Sequence, residues 1–132
     1  MVVDKDDELV MYVVFRADLK MGAGKVAAQA GHAVQLVMEE VLRHYHSKKP
    51  DRGVLSRYVQ WRNDGITKVA LKVPDQQEFT KLFEQLYAAR LIVRKVVDEG
   101  RTEVAPNSET CFAVEPSRRG YMRQFVGELP LL

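Results

Sequence analysis

Three polar side chains, Lys25, Gln29 and His32, lie at positions i, i+4 and i+7 of a predicted helix and therefore share one of its faces. Lys25 stands in the first turn, where the helix dipole disfavours a cation. A lysine there is explained if an anion, or an oxygen that becomes negative during a reaction, lies against it. Backbone N–H groups after Gly22 and Gly24 would help to hold that anion. On spacing alone, a solvated lysine, a helix-forming glutamine and a structural histidine are the simpler interpretation.

The same glycine-containing segment is similar to a nucleotide-binding P-loop, but it lacks two residues that such a loop requires. Leu19 stands where the first glycine should be, and Val26 stands where a serine or threonine should bind magnesium. The sequence therefore argues against a nucleoside triphosphatase.

A second polar cluster follows an apolar strand at residues 97–102, which read Val-Asp-Glu-Gly-Arg-Thr. The carboxyl end of a strand in an α/β sheet is a common place for a functional site. Asp98 and Thr102 would supply a carboxylate and a hydroxyl there. The same residue types also form ordinary turns, so this string by itself leaves both interpretations open.

Other reactive residue types give weaker signals. Cys111 is the one cysteine, which excludes an internal disulfide, and its apolar strand indicates a buried thiol and not a nucleophile. His44 and His46 end a helix and have no nearby partners for a metal site. The basic pairs Lys48-Lys49 and Arg118-Arg119 indicate either solvated surface or contacts with phosphate.

Composition limits the class of protein. The chain has 132 residues, 46% of them apolar, with 20 basic and 18 acidic side chains and a net charge of +2. This predicts one domain over residues 9–132, after a charged, flexible end at residues 1–8. Binding to nucleic acid would need a local basic patch, because the net charge is small. No apolar run reaches the ~20 residues of a membrane span, and the acidic start is unlike a signal peptide, so we expect a cytoplasmic protein.

Hydrophobic periodicity predicts the element order β-α-α-β-α-β-β-α. Strands are predicted at 9–15, 67–73, 91–97 and 110–114, and helices at 25–46, at 52–63, after Asp75 and at 118–125. Strands separated by helices favour parallel pairing, while the short link between the last two strands favours one antiparallel pair. The predicted fold is a three-layer α/β/α sandwich with a mixed four-stranded sheet, mostly parallel with one antiparallel strand.

Taken together, these segments resemble the type 2 peptidyl-tRNA hydrolases of archaea and eukaryotes. Residues 12–33 are similar to the family's opening strand, loop and helix, and residues 98–110 resemble its aspartate–glycine–basic–threonine signature. Further similarity lies at Trp61, Gly65, Lys68, Val69, Lys72 and residues 127–132. The match runs in the right order from Val10 onward.

The resemblance implies hydrolysis of the ester that joins a peptide to the 3′ ribose of tRNA. It also implies the three-layer fold, a frequently dimeric state and no metal or other cofactor. The positions that match the family's catalytic residues are Lys25, Asp98 and Thr102, and the supporting positions are Gln29, His32 and Arg101. In the mechanism that we predict, Asp98 orients or deprotonates a water, with Thr102 as a relay. Lys25 stabilises the oxyanion or the terminal phosphate, and Lys20 and Arg101 contact the tRNA backbone.

The chain departs from the family pattern at several positions. Ala23 replaces a common lysine, and Glu99 stands where a small residue is usual. The family's Leu-Gly-Ile-Gly-Pro stretch is Phe-Ala-Val-Glu-Pro at residues 112–116, and two arginines follow soon after it. The altered segment at 112–119 keeps a second interpretation open, a non-catalytic tRNA- or protein-binding module on the same fold. Retention of Lys25, Asp98 and Thr102 favours the enzyme.

Overall fold

A computed structural model describes residues 4–99 and 104–132 of the chain. Its strands are β1 (Leu9–Arg16), β2 (Lys68–Val73), β3 (Val93–Val97), β4 (Glu109–Val114) and β5 (Ser117–Arg118). Its helices are α1 (Ala23–Arg43), α2 (Arg52–Asn63), α3 (Gln76–Ala88) and α4 (Arg119–Val126), and short 3-10 turns cover Lys5–Asp7, Ala17–Leu19 and His44–His46. The predicted α/β class and the predicted order of the long elements are confirmed.

The strand pairing corrects one prediction. The sheet has the order β2-β1-β4-β3, and β5 pairs with the start of β1. Among the strands of the described residues, only β1 and β2 pair in parallel, whereas β4 is antiparallel to both of its neighbours. The sheet is therefore mixed and mostly antiparallel, and the prediction of a mostly parallel sheet was wrong. The reason is the position of β4, because this strand lies between β1 and β3 and runs opposite to both, which makes two of the three long pairings antiparallel.

The central strand β1 separates two hydrophobic cores. Its odd-numbered residues, from Leu9 to Phe15, pack with apolar residues of α1 and α2. Its even-numbered residues, from Val10 to Val14, pack with α3 and α4. Successive side chains of a strand point to opposite faces, so a strand covered by helices on both sides must be apolar throughout. This explains the uninterrupted apolar run in the sequence.

Local capping sets where the helices begin. The carboxylate of Asp51 accepts hydrogen bonds from the N–H groups of Gly53 and Val54 at the start of α2. The carboxylate of Asp75 accepts one from Glu78 N–H at the start of α3. Both are standard N-caps. The N-cap of α1 is Gly22, which has no side chain to supply such an acceptor.

The residues before β1 are tied to α4. Asp6 and Glu8 form ion pairs of 2.5 Å with Arg123 and Arg119, respectively. Flexibility of residues 1–8 stays a prediction, and residues 1–3 lie outside the described part of the chain. Within the described residues, no helix has the length and apolar character needed to cross a membrane.

Candidate active site

Asp98 is the first residue after β3, at the end of the sheet where β1 also ends. Its N–H donates to the carbonyl of Ser108 at 2.8 Å, and its carbonyl accepts from Asn107 N–H at 2.7 Å. Asn107 has a φ of 67°, a left-handed conformation that asparagine adopts more readily than most residues. These bonds fix the backbone of Asp98, and its side chain is only 7% exposed.

Lys25 and Gln29 reach the Asp98 carboxylate from the first two turns of α1. Lys25 Nζ donates to Asp98 Oδ1, and the two side chains are 10% and 7% exposed. Gln29 Nε2 donates to the same oxygen at 3.0 Å. Gln29 is itself buried, and its backbone carbonyl accepts from Cys111 Sγ of β4 at 3.4 Å. The structure thus brings together three of the predicted site residues, and β4 supports the helix behind them.

This polar group lies in an open cleft of about 730 Å³ between α1 and the end of β3. His32 is exposed and lines the cleft one turn beyond Gln29. Leu36, Val96 and Val97 supply apolar wall, and Glu99 lies at the rim. The cleft can therefore hold an uncharged chain against its walls and present it to a buried carboxylate and ammonium.

The remaining predicted residues do not join this group in the described structure. Lys20 is exposed, adopts a left-handed φ of 51° and lines a separate hollow of about 160 Å³ together with Lys72 and Arg16. Arg101 and Thr102 lie outside the described residues.

Two alternative chemistries find no support at this site. Burial raises the pKa of the Cys111 thiol to about 12, so at neutral pH this cysteine is not a thiolate nucleophile. Among residues 4–99 and 104–132, no group of three His, Cys, Asp or Glu side chains is arranged to hold a metal ion.

Two features escaped the sequence analysis. Leu36 continues the face of Lys25, Gln29 and His32 at i+11, so helical spacing alone could have placed it in the cleft. Glu115, within the altered segment, is only 1% exposed and pairs with Arg57 at 2.7 Å. No local sequence pattern links Glu115 to Arg57, because the two residues are 58 positions apart.

A model of the family described as peptidyl-tRNA hydrolase PTH2 matches residues 9–132. The chain belongs to this family. It is 30% identical over 122 residues to a peptidyl-tRNA hydrolase of Sulfurisphaera tokodaii, which covers 92% of this chain and 97% of the relative. It is 34% identical over 120 residues to a peptidyl-tRNA hydrolase of Methanococcus maripaludis strain C7, covering 91% and 96%.

A human relative is longer. The chain is 34% identical over 124 residues to the human mitochondrial peptidyl-tRNA hydrolase 2, covering 94% of this chain but 64% of the human protein. The family and enzyme class predicted from the sequence are confirmed by these matches. Within this peptidyl-tRNA hydrolase fold, the altered residue Glu115 is buried in the protein, where it accepts hydrogen bonds from Arg57 and from the N–H of Ile92.

Proposed function

We propose that the chain cleaves the ester between the peptide and the 3′ ribose of peptidyl-tRNA in the cleft between α1 and β3. The observation that carries this proposal is the buried Lys25–Asp98 pair, joined by Gln29 and open to a cleft. Burying charged groups is costly, and this pair lies beside open space although protein contacts could have enclosed it, which favours a chemical role. Membership in the peptidyl-tRNA hydrolase family supports the choice of substrate.

In the proposed reaction, a water oxygen attacks the ester carbonyl carbon while Asp98 accepts one of the water protons. The tetrahedral intermediate then collapses, and the bond between that carbon and the 3′ oxygen breaks. The 3′ oxygen leaves with the proton that Asp98 accepted, which restores the carboxylate, and the second water proton ionises from the new peptide acid. The products are tRNA with a free 3′ hydroxyl, a peptide with a free carboxylate and one released proton. No covalent bond forms between the protein and the substrate.

Lys25 is proposed to stabilise the negative charge that develops on the ester oxygen. An ammonium group has three N–H donors, so one can remain on Asp98 while another turns to the oxyanion. The Lys25 side chain is nearly buried, and electrostatic stabilisation is stronger in such a site than in water. Gln29 is proposed to hold the Asp98 carboxylate in one orientation through its hydrogen bond to Oδ1.

Other residues are assigned to binding. We propose that Lys20 contacts the tRNA backbone with the help of Lys72, since both line one hollow at the same end of the sheet as Lys25. His32, which lines the cleft, is proposed to contact the substrate near the ester. A relay through Thr102, a tRNA contact by Arg101, a homodimer and a cytoplasmic location stay predictions.

The test uses two matched substrates, an N-acetyl-aminoacyl-tRNA and the same aminoacyl-tRNA with a free amino group. We expect the purified protein to release tRNA from the blocked form and to spare the free form. Addition of a chelator should leave the rate unchanged, as the prediction of no cofactor requires. Saturable tRNA binding without release of the acyl group would instead support the non-catalytic module.

A further inference from the structure

Strand β3 lies at an edge of the sheet, and β4 is its neighbour on the other side. The carbonyl of Ile92 accepts from Glu115 N–H at 2.9 Å, and Asp98 N–H donates to Ser108 at 2.8 Å. The backbone N–H and C=O groups of the even-numbered residues of β3 therefore point toward β4. Because these groups alternate along an antiparallel strand, those of Val93, Lys95 and Val97 point outward. The register shift beside Val96 skips a residue of β4 and leaves the alternation along β3 intact.

A groove follows this edge beneath α1. The cleft at Asp98 is lined by Val96 and Val97 on one side and by Leu36 on the other. Leu36 also lines a second hollow of about 410 Å³, which extends to Arg94. The groove thus runs beside β3 from its carboxyl end, at Asp98, toward its amino end.

Charged side chains on an edge strand often protect it from pairing with other chains. In β3, both cationic side chains form ion pairs with carboxylates of other elements. Arg94 pairs with Glu40 at 3.3 Å, and Lys95 pairs with Glu109 at 2.5 Å. Val97, next to Asp98, is 49% exposed. Among residues 4–99 and 104–132, none pairs with the outer backbone edge nearest the candidate catalytic carboxylate.

We infer that the outer edge of β3 is the subsite for the peptide part of the substrate, which adds to the sheet as an extended strand. This inference rests on the proposed function. The ester marks the carboxyl end of the peptide and must lie at Lys25 and Asp98, where β3 also ends. The peptide then runs parallel to β3, with its amino end toward Val93.

Strand addition suits this substrate class because main-chain hydrogen bonds supply the affinity whatever the side chains are. A free aminoacyl ester has no peptide bond to pair with the edge. The outward groups from Val93 to Val97 span roughly 13 Å at about 3.3 Å per residue. The subsite therefore accommodates about five residues, and longer peptides gain nothing more.

The first experiment measures kcat/KM for a series of N-acetylated peptidyl-tRNAs of one to seven residues. We expect kcat/KM to rise with length and to become constant near five residues. A second series carries one N-methylated amide at successive positions of a five-residue peptide. N-methylation at every second position should lower kcat/KM about fivefold, which is the effect of one lost hydrogen bond. N-methylation at the positions between them should have little effect.

A protein variant tests the same edge. Lys95→Pro removes one outward N–H, and edge strands tolerate proline where that group faces solvent. The matched control Lys95→Ala loses the same side-chain contacts but keeps the N–H. Thermal unfolding checks that both variants fold. The ratio of kcat/KM for the five-residue substrate to that for the one-residue substrate should fall in Lys95→Pro relative to Lys95→Ala.

Several results would overturn the inference. They are a rate independent of peptide length, N-methyl effects without alternation, or equal ratios in the two Lys95 variants. A dimer that dissociates in Lys95→Pro, together with no length dependence, would assign this edge to a second copy of the chain. If even the N-acetyl-aminoacyl-tRNA is not cleaved, the proposed function fails, and the peptide subsite fails with it.

Discussion

Two buried carboxylates, Asp98 and Glu115, occupy equivalent places at opposite ends of the sheet. Each is the first residue after its strand, β3 or β4, and these strands are antiparallel. Each pairs with a cation from a helix on the same face of the sheet, Lys25 of α1 or Arg57 of α2. Their exposed fractions are 7% and 1%. The two carboxylates thus share burial and charge, but their partners differ, since the side chain of Lys25 is 10% exposed and that of Arg57 is 33% exposed.

The Glu115 carboxylate itself is closed by protein contacts. Its Oε1 accepts from Arg57 and its Oε2 from the N–H of Ile92, both at 2.7 Å. The Asp98 pair is formed by a lysine and opens into a cleft. Arginine holds a carboxylate in a fixed fork, whereas the lysine ammonium can share its three donors with a second acceptor. This difference supports the proposal that the Asp98 pair acts on substrate, whereas the Glu115 pair stabilises the fold.

The largest effect that this comparison predicts is at Asp98. Asp98→Asn keeps the shape and an oxygen that can accept from Gln29, but it removes the base. We expect the rate of ester cleavage to fall about 10³-fold, in the range found when one transition-state contact is lost. The thermal unfolding midpoint should fall less than when Arg57 is removed, because the Lys25 ammonium borders the cleft and can turn to water once the carboxylate is lost. Single-turnover kinetics and a melting curve measure the two quantities, and a full rate in the folded variant would contradict the assignment.

At the opposite end of the sheet, Arg57→Ala should affect stability and not chemistry. It leaves the Glu115 carboxylate buried without its cation, and breaking such a pair costs about 3 kcal/mol. Urea unfolding should show this loss of free energy of unfolding, while the rate per folded molecule stays at the wild-type value. If Arg57→Ala slowed cleavage without destabilising the fold, the proposed division between the two pairs would not hold.

Gln29 tests whether the orientation of Asp98 matters. Gln29→Leu fills a similar volume but removes the hydrogen bond to Oδ1. We expect kcat to fall about tenfold with little change in KM, because a hydrogen bond to a charged group contributes about 1.5 kcal/mol. The matched control is Gln77→Leu on the exposed surface of α3, which should leave both constants unchanged. A rise in KM alone would mean that Gln29 binds substrate and does not position Asp98.

The smallest expected effect is the contribution of Glu109 to the pH dependence of stability. This carboxylate is only partly exposed and lies outside the two pairs compared above. Its burial raises its pKa, but hydrogen bonds from Lys95 and Gln76 outweigh this, so the net pKa is lowered from the usual 4.5. A lowered pKa stabilises the fold above the unfolded pKa, and this stability is lost as the pH falls through the folded value. Relative to Glu109→Gln, the wild type should be more stable at pH 7 by less than about 1 kcal/mol. Urea unfolding between pH 7 and pH 3 should show the difference disappear, and a difference that persisted at pH 3 would contradict this.

Local signals in the sequence predicted much of the fold. The helix predicted at 52–63 has the same bounds as α2, and Asp75 caps α3 as its spacing with Glu78 indicated. These features depend on residues close together in the chain. Lys25 and Asp98 are 73 positions apart, and it was the resemblance to the peptidyl-tRNA hydrolase family that assigned both residues to one site.

Features that depend on distant pairing could not be predicted in the same way. The order of strands follows from which strand β4 joins, and short-range periodicity holds no information on that choice. The Glu115–Arg57 pair joins residues from separate elements, so Glu115 appeared only as a departure from the family pattern. The open edge of β3 likewise became visible only when the strand order was known.

The central claim is that Lys25 and Asp98 act as one unit on the ester. Its most direct test is a double-mutant cycle of Lys25→Ala and Asp98→Asn, measured by single-turnover cleavage of N-acetyl-aminoacyl-tRNA. If the pair acts together, each single variant should lose at least about 100-fold, and the double variant should be hardly slower than the slower single variant. Losses that simply multiply in the double variant, or a single variant with the wild-type rate, would contradict the claim.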